Sequence, residues 1–97
     1  MRKLTVTTET SDGKRVLYAE GELSIYTVAE MKGVIMQNVS PEGGLVLDLS
    51  RVSRLDTAGF QLLLAVKKQN LFSEHAISMK NPSEDVKRLF DVYRENW

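Results

Sequence analysis

The order of patterned segments predicts an α/β fold, a mixed four-stranded sheet in the order β-β-α-β-α-β-α with helices mainly on one face. Three observations carry this expectation. An Asp12-Gly13 pair joins two alternating segments and tolerates positive φ, so the first two strands form an antiparallel hairpin. Strands then alternate with helices, which implies parallel pairing through right-handed crossovers. Parallel sheets are usually covered on both faces, yet three strands here alternate apolar and polar positions. One face should therefore stay partly open, as mild exposure or as a docking surface.

Each element has a local reason. Leu4, Val6 and Thr8 alternate with Thr5 and Thr7, a period of two rich in β-formers. The second strand runs from about Arg15 to Glu20, with Val16 and Tyr18 on one face, until Gly21 breaks the pattern. Thr27-Val28-Ala29-Glu30 has the form of a capping box, and Met31, Val34, Ile35 and Val39 follow at helical spacing. Gly33 inside this helix costs about 1 kcal/mol against alanine or marks a close packing contact. Pro41-Glu42-Gly43-Gly44 ends it. Leu45, Leu47 and Leu49 share one face of the third strand, with Val46 and Asp48 on the other. A short link leads to RLDTAG and a helix to about Phe72. Ala76 to Lys80 is the fourth strand, with Ile77 and Met79 together. Asn81-Pro82 stops it, and Ser83 can cap a last helix whose stripe is Val86, Leu89, Phe90 and Tyr93. Glu84 and Asp85 suit that helix's positive end.

Composition narrows the functional classes. The 97 residues suit one domain, residues 1–97, and the 13 basic and 13 acidic residues cancel. No net basic field points to nucleic acid or an acidic membrane. The absence of cysteine excludes disulfides, iron–sulfur clusters and thiolate zinc sites. MRKLTVTTET has no apolar core behind its basic residues and is not read as a signal peptide. The densest apolar stretch, Phe60 to Val66, is far short of the roughly 20 residues a membrane span needs. A cytoplasmic protein is expected, and the Asn38-Val39-Ser40 glycosylation pattern would then go unused. The Gly43-Gly44 pair lacks the Gly-Lys-Ser/Thr of a phosphate loop. His75, the single histidine, lies beside Glu74 with too few ligands for a metal and no serine partner for a triad.

The segment Arg54-Leu55-Asp56-Thr57-Ala58-Gly59 sets polar and small residues before the apolar run Phe60 to Val66. Asp56 can cap the helix, and Thr57 can do so if the helix starts one residue later. Ala58 and Gly59 leave room for a close approach to the first turn. With so wide an apolar surface the helix should be largely buried, its accessible end being the N-terminus. Two readings of Thr57 stand: a helix starter, or a hydroxyl exposed for modification. A phosphate there would accept from first-turn N–H groups yet meet repulsion from Asp56, so it would change what the exposed end touches more than it changes the fold. Arg51 and Arg54 flank the motif and can steady a phosphate; Ile25, Tyr26 and Phe60 are candidates for an apolar rim, with core packing as the alternative.

Gly21-Glu22-Leu23, the stretch VLDLSRVSRLDTAG at 46–59, the leucine run after it and NPSEDVKRLF at 81–90 resemble a STAS domain, the family of bacterial anti-sigma factor antagonists and related modules. The resemblance spans nearly the whole chain and implies a mixed sheet flanked by helices, no catalysis and no cofactor. It implies a switch: an anti-anti-sigma factor in transcription regulation that binds a Ser/Thr kinase serving also as the anti-sigma factor. That kinase would phosphorylate the residue after the motif aspartate, here Thr57 after Asp56, and a phosphatase would reverse it. Ser24, Tyr26, Asp56, Thr57, Ala58 and Gly59 are the partner-binding residues this implies. Phosphorylated antagonists resemble Gly-Glu-Leu-Asp after the second strand, where this chain has Ser24. The chain ends at Trp97, so the C-terminal strand and helix of some relatives are expected to be absent. The stretch DLSRVSRLDTAG also resembles the STAS subunit of the bacterial phospholipid-trafficking ABC transporter, where the domain clamps the ATPase, and domains that accompany chemotaxis proteins. No direct nucleic-acid contact or membrane insertion is expected. Asp48 and Asp56 raise a receiver-type acidic pocket for Mg²⁺, which the leading hairpin does not fit.

Overall fold

The computed structural model describes residues 3–39, 44–68 and 77–97. Its elements are β1 (Leu4–Ser11), β2 (Lys14–Leu23), α1 (Val28–Asn38), β3 (Leu45–Leu55), α2 (Thr57–Lys67), β4 (Ile77–Lys80) and α3 (Glu84–Val92). The expectations placed on Ser40, Pro41 to Gly43, Phe72, Glu74, His75 and Ala76 lie outside the described residues.

The sheet order is β1-β2-β3-β4, with β1 antiparallel to β2 and the other neighbours parallel. Asp12 and Gly13 have φ of 52° and 77°, the paired left-handed backbone that a two-residue hairpin needs. Leu17, Ala19, Leu47 and Leu49 point into one core with Met31 and Ile35 of α1, Phe60 and Leu63 of α2, and Val86 and Phe90 of α3. All three helices therefore cover the same face of the sheet, as the alternation in the strands predicts.

The opposite face carries Thr7 beside Tyr18, Tyr18 beside Asp48, and Asp48 beside Lys80 across the ladders. The Arg51 guanidinium lies 4.7 Å from the Tyr18 ring centre. A hydrogen bond to Glu9 pushes the Tyr18 phenol above its usual pKa; burial and the Glu9 and Asp48 charges add, and Arg51 opposes. Asp48 is buried and accepts from the Ser50 hydroxyl at 2.6 Å, the Ser50 amide at 3.0 Å and Asn81 Nδ2 at 2.9 Å. The carboxylate thus ties β3 to the turn after β4, where Asn81 takes a left-handed φ of 55°. With its oxygens spent this way, Asp48 works as a strut.

Three local expectations need correction. Gly21 does not end β2 but sits inside it at φ 108°; a Cβ there would collide with the Lys3 carbonyl oxygen, which accepts from Glu22 N at 2.9 Å. No link separates the third strand from RLDTAG: β3 runs unbroken to Leu55. Between the Tyr18–Asp48 and Glu22–Arg54 pairs, β3 uses two more residues than β2, at two register shifts. Such bulges break the period of two. Buried residues accordingly fall at Leu49, Val52 and Leu55, three apart, a spacing that does not read as strand. The capping box does not form either. Thr27 is buried and its hydroxyl donates to Glu22 O at 2.8 Å and accepts from Ser24 N at 3.0 Å, leaving no side-chain cap on α1. Of the two readings of Gly33, the plain helix-propensity cost is the one left: an added Cβ meets nothing within 4 Å, so no packing contact requires the glycine.

No helix among the described residues is long and apolar enough to cross a membrane.

Candidate functional site at the start of the second long helix

Parallel pairing brings the C-terminal ends of β2 and β3 together, with Leu23 opposite Leu55 as the last pair. The chain leaves both strands at the same edge of the fold, into the 24–27 turn and into Asp56. Asp56 then binds three segments. Its Oδ1 accepts from Gly59 N at 2.9 Å and caps α2; its Oδ2 accepts from Ile25 N at 3.0 Å; its own N–H donates to Leu23 O at 3.3 Å. A carboxylate cap of this kind stabilises a helix by about 1 kcal/mol. The bond to Ile25 additionally fixes the β2–α1 turn against the helix start.

The helix behind this cap is anchored by burial. Phe60, Leu62, Leu63 and Val66 are buried, and fully burying one such side chain stabilises by about 1.5–3 kcal/mol. Gly59 is buried too, and its smallness has an internal cause: a Cβ would collide with the Leu23 carbonyl oxygen and sit 2.7 Å from Leu55 Cδ1. The close approach expected at Ala58-Gly59 is made, at Gly59, by the domain's own strand end.

Thr57, by contrast, is exposed at the first position of α2. Its hydroxyl lies 3.1 Å from the Tyr93 hydroxyl, at the end of α3. The Tyr93 ring stacks on Phe60 at 4.6 Å with an interplanar angle of 19°. On the other side of Asp56, Ile25 and Tyr26 are each about two-thirds exposed, at 64% and 65%. Phe60 is core, and the rim is Ile25 and Tyr26 from the β2–α1 turn with Tyr93 from the far side.

Ser24 lies beneath the surface. It is 4% exposed, its hydroxyl donates to Glu22 Oε2 at 2.7 Å, and it accepts from Tyr26 N at 3.2 Å. Ser24 thus shapes the turn that presents Tyr26, and the acidic group next to it is Glu22. An open cleft of about 620 Å³ runs alongside, lined by Glu22, Ser24, Tyr26, Arg54, Asp56, Asp85 and Arg88 among others. Arg88 pairs with Asp85 at 3.3 Å. Arg54 faces this cleft, while Arg51 is engaged with Tyr18, so the two arginines flanking the motif part company. No cluster of three or more His, Asp or Glu able to hold a metal occurs among the described residues.

Sequence reasoning placed Tyr93 only in the apolar stripe of α3 and did not bring it to Thr57. The two residues are 36 positions apart, and no local pattern signals their contact. Glu22, Asp85 and Arg88 were missed for the same reason.

A family model described as "Mlab, STAS domain" matches residues 6–96. Solved structures share the fold. An anti-sigma factor antagonist from Mycobacterium paratuberculosis is 24% identical over 95% of this chain and 79% of that one, with a TM-score of 0.73. The antisigma-factor antagonist STAS domain from Rhodobacter sphaeroides is 25% identical over 84% of this chain and 94% of that one, with a TM-score of 0.61. The Bacillus cell fate determinant SpoIIAA in its phosphorylated form is 18% identical over 92% of this chain and 83% of that one, with a TM-score of 0.62.

Proposed function

The chain belongs to the STAS family, and on that premise we propose that it is a non-catalytic protein-binding switch of the anti-sigma factor antagonist type, phosphorylated on Thr57 by a Ser/Thr kinase that is its partner. The observation that carries the reading is the exposed Thr57 hydroxyl at the first position of a helix whose remaining body is largely buried. A kinase would transfer the γ-phosphoryl of its ATP to Oγ1, forming the Oγ1–P bond, releasing ADP and passing the hydroxyl proton to its own base. The amides of Thr57 and Ala58 have no partner inside the helix by geometry alone, and with the helix dipole they favour a phosphate there. The Asp56 carboxylate next door opposes it. With these effects in opposition the phosphate leaves the fold in place and alters the surface between Tyr26 and Tyr93 that a partner covers. Burying a doubly charged group against an apolar partner face costs a few kcal/mol, enough to dissolve a micromolar complex. Further support comes from fold neighbours that include anti-sigma factor antagonists, one of which, SpoIIAA, is also known in a phosphorylated form.

A second reading keeps the same docking edge without modification: a constitutive accessory subunit of a transporter ATPase. Its support is the matched family model together with the resemblance of residues 46–59 to the STAS subunit of the phospholipid-trafficking transporter. Affinity purification from the host with wild type, Thr57→Ala and Thr57→Glu, followed by mass spectrometry of both partners, separates the two. A kinase retained by wild type and Thr57→Ala but lost with Thr57→Glu, with phosphate on Thr57, supports the switch. An ABC-type ATPase retained by wild type, with no phosphate at Thr57, supports constitutive docking and ends the first reading.

A further inference from the structure

The Thr57 hydroxyl has a hydrogen-bonding neighbour, the Tyr93 hydroxyl at 3.1 Å. We propose that Tyr93 is its positioning residue: the phenol at the end of α3 holds the hydroxyl in one orientation for whatever partner reaches it. The inference rests on reading Thr57 as the partner-facing acceptor and adds the residue that presents it.

Tyr93 is held by several contacts that do not involve Thr57. Its ring stacks on buried Phe60, which itself meets Phe90 edge-on at 5.0 Å. Its backbone is the C-cap of α3, and the two residues after it close the helix tightly. Glu95 N donates to Phe90 O at 2.8 Å and Arg94 N donates to Asp91 O at 3.0 Å, the double bond of a left-handed helix cap. The left-handed position belongs to Arg94, at φ 57°, where glycine is the usual occupant. A Lys68–Glu95 ion pair at 3.5 Å and Trp97 set edge-on against Phe90 at 5.4 Å hold the segment down. Tyr93 is therefore the fixed member of the pair and Thr57 the adaptable one.

An oxygen bonded to Cβ has three remaining tetrahedral directions. Where Tyr93 donates, it occupies one lone pair and leaves the other for an electrophile and the O–H direction for the departing proton; where Thr57 donates, both lone pairs stay open and the proton faces Tyr93 until it leaves. Threonine's χ1 has three staggered wells. Holding one of them spares a partner from selecting it, a gain of about two- to threefold in the productive population.

The test uses the intact chain. Tyr93→Phe keeps the ring on Phe60 and removes only the hydroxyl. Three-bond NMR couplings across Thr57 χ1 are expected to report one dominant rotamer in wild type and rotamer averaging in Tyr93→Phe, with the melting temperature nearly unchanged. With the partner kinase in hand, Tyr93→Phe is expected to lower kcat by about two- to threefold at constant KM. Thr57 couplings already averaged in wild type, or identical in the two proteins, overturn the proposal even if Thr57 is phosphorylated. Conversely, a single held rotamer that Tyr93→Phe releases, in a protein no kinase modifies, upholds the positioning role and defeats the phosphorylation reading alone.

Discussion

Asp56 Oδ2 accepts a hydrogen bond from the Ile25 amide at 3.0 Å, joining the start of α2 to a turn 31 residues earlier. The same carboxylate caps the helix through Gly59 N. Replacing Asp56 by Ala removes both acceptors and leaves two amides without partners. A loss of about 1–3 kcal/mol in unfolding free energy is expected, read from urea denaturation. Asp56→Asn retains one acceptor oxygen and should recover part of that loss. A stability equal to wild type for Asp56→Ala would show that solvent replaces the cap at no cost.

Two glycines should respond to alanine with opposite sign. Gly59→Ala drives a methyl into the Leu23 carbonyl and Leu55, and overpacking of this kind costs about 1–3 kcal/mol. Gly33 sits in a helix interior with open space around its missing Cβ, so Gly33→Ala should stabilise by about 0.5–1 kcal/mol. Thermal unfolding of the two variants beside wild type checks both signs at once.

The acid limb of the stability curve should depend on Asp48. Burial alone pushes its carboxyl up, but bonds from the Ser50 hydroxyl, Asn81 and the Ser50 amide, with the Arg51 charge, outweigh it and hold the group below its usual value. A folded-state pKa below the unfolded value near 3.9 means the folded chain binds fewer protons in that interval. The stabilisation is thus complete above about pH 4 and is lost as pH falls through the lower folded value. Ser50→Ala removes the 2.6 Å bond, raises the folded pKa toward the ordinary value and moves acid unfolding to higher pH. Circular dichroism against pH for the two proteins gives the answer; superimposable curves would deny Ser50 this role.

Ile25 and Tyr26 should matter to a partner. Both are mostly exposed, and at Ile25 a surface truncation should change stability by about 0.5 kcal/mol or less. If the Tyr26 ring anchors a partner, Tyr26→Ala weakens binding by about tenfold or more, since aromatic residues dominate interface energetics. Isothermal titration with the purified partner measures it. A Tyr26→Ala protein that binds at wild-type strength removes the β2–α1 turn from the interface.

Asp12-Gly13, the alternation in the strands, the Ser83 cap and the apolar run after Gly59 are short-range patterns. Each is enforced by local geometry, so the hairpin, the order of elements and the one-sided helix layer follow from them. So does the cap by Asp56, since a carboxylate three residues ahead of a helical amide needs no distant partner. The 49–55 stretch hid its strand because two register shifts against β2 turn a period of two into a period of three, and a shift exists only relative to a neighbouring strand. Thr27 was drawn from its local cap by Ser24 and Glu22 once the turn closed. Tyr93 meets Thr57 because α2 and α3 pack through Phe60 and Phe90, contacts that no spacing within either helix specifies. The chain's local chemistry selected the parts and the motif; long-range packing alone decided which groups stand beside the Thr57 hydroxyl, because contacts between distant segments exist only after the core has set the elements against one another.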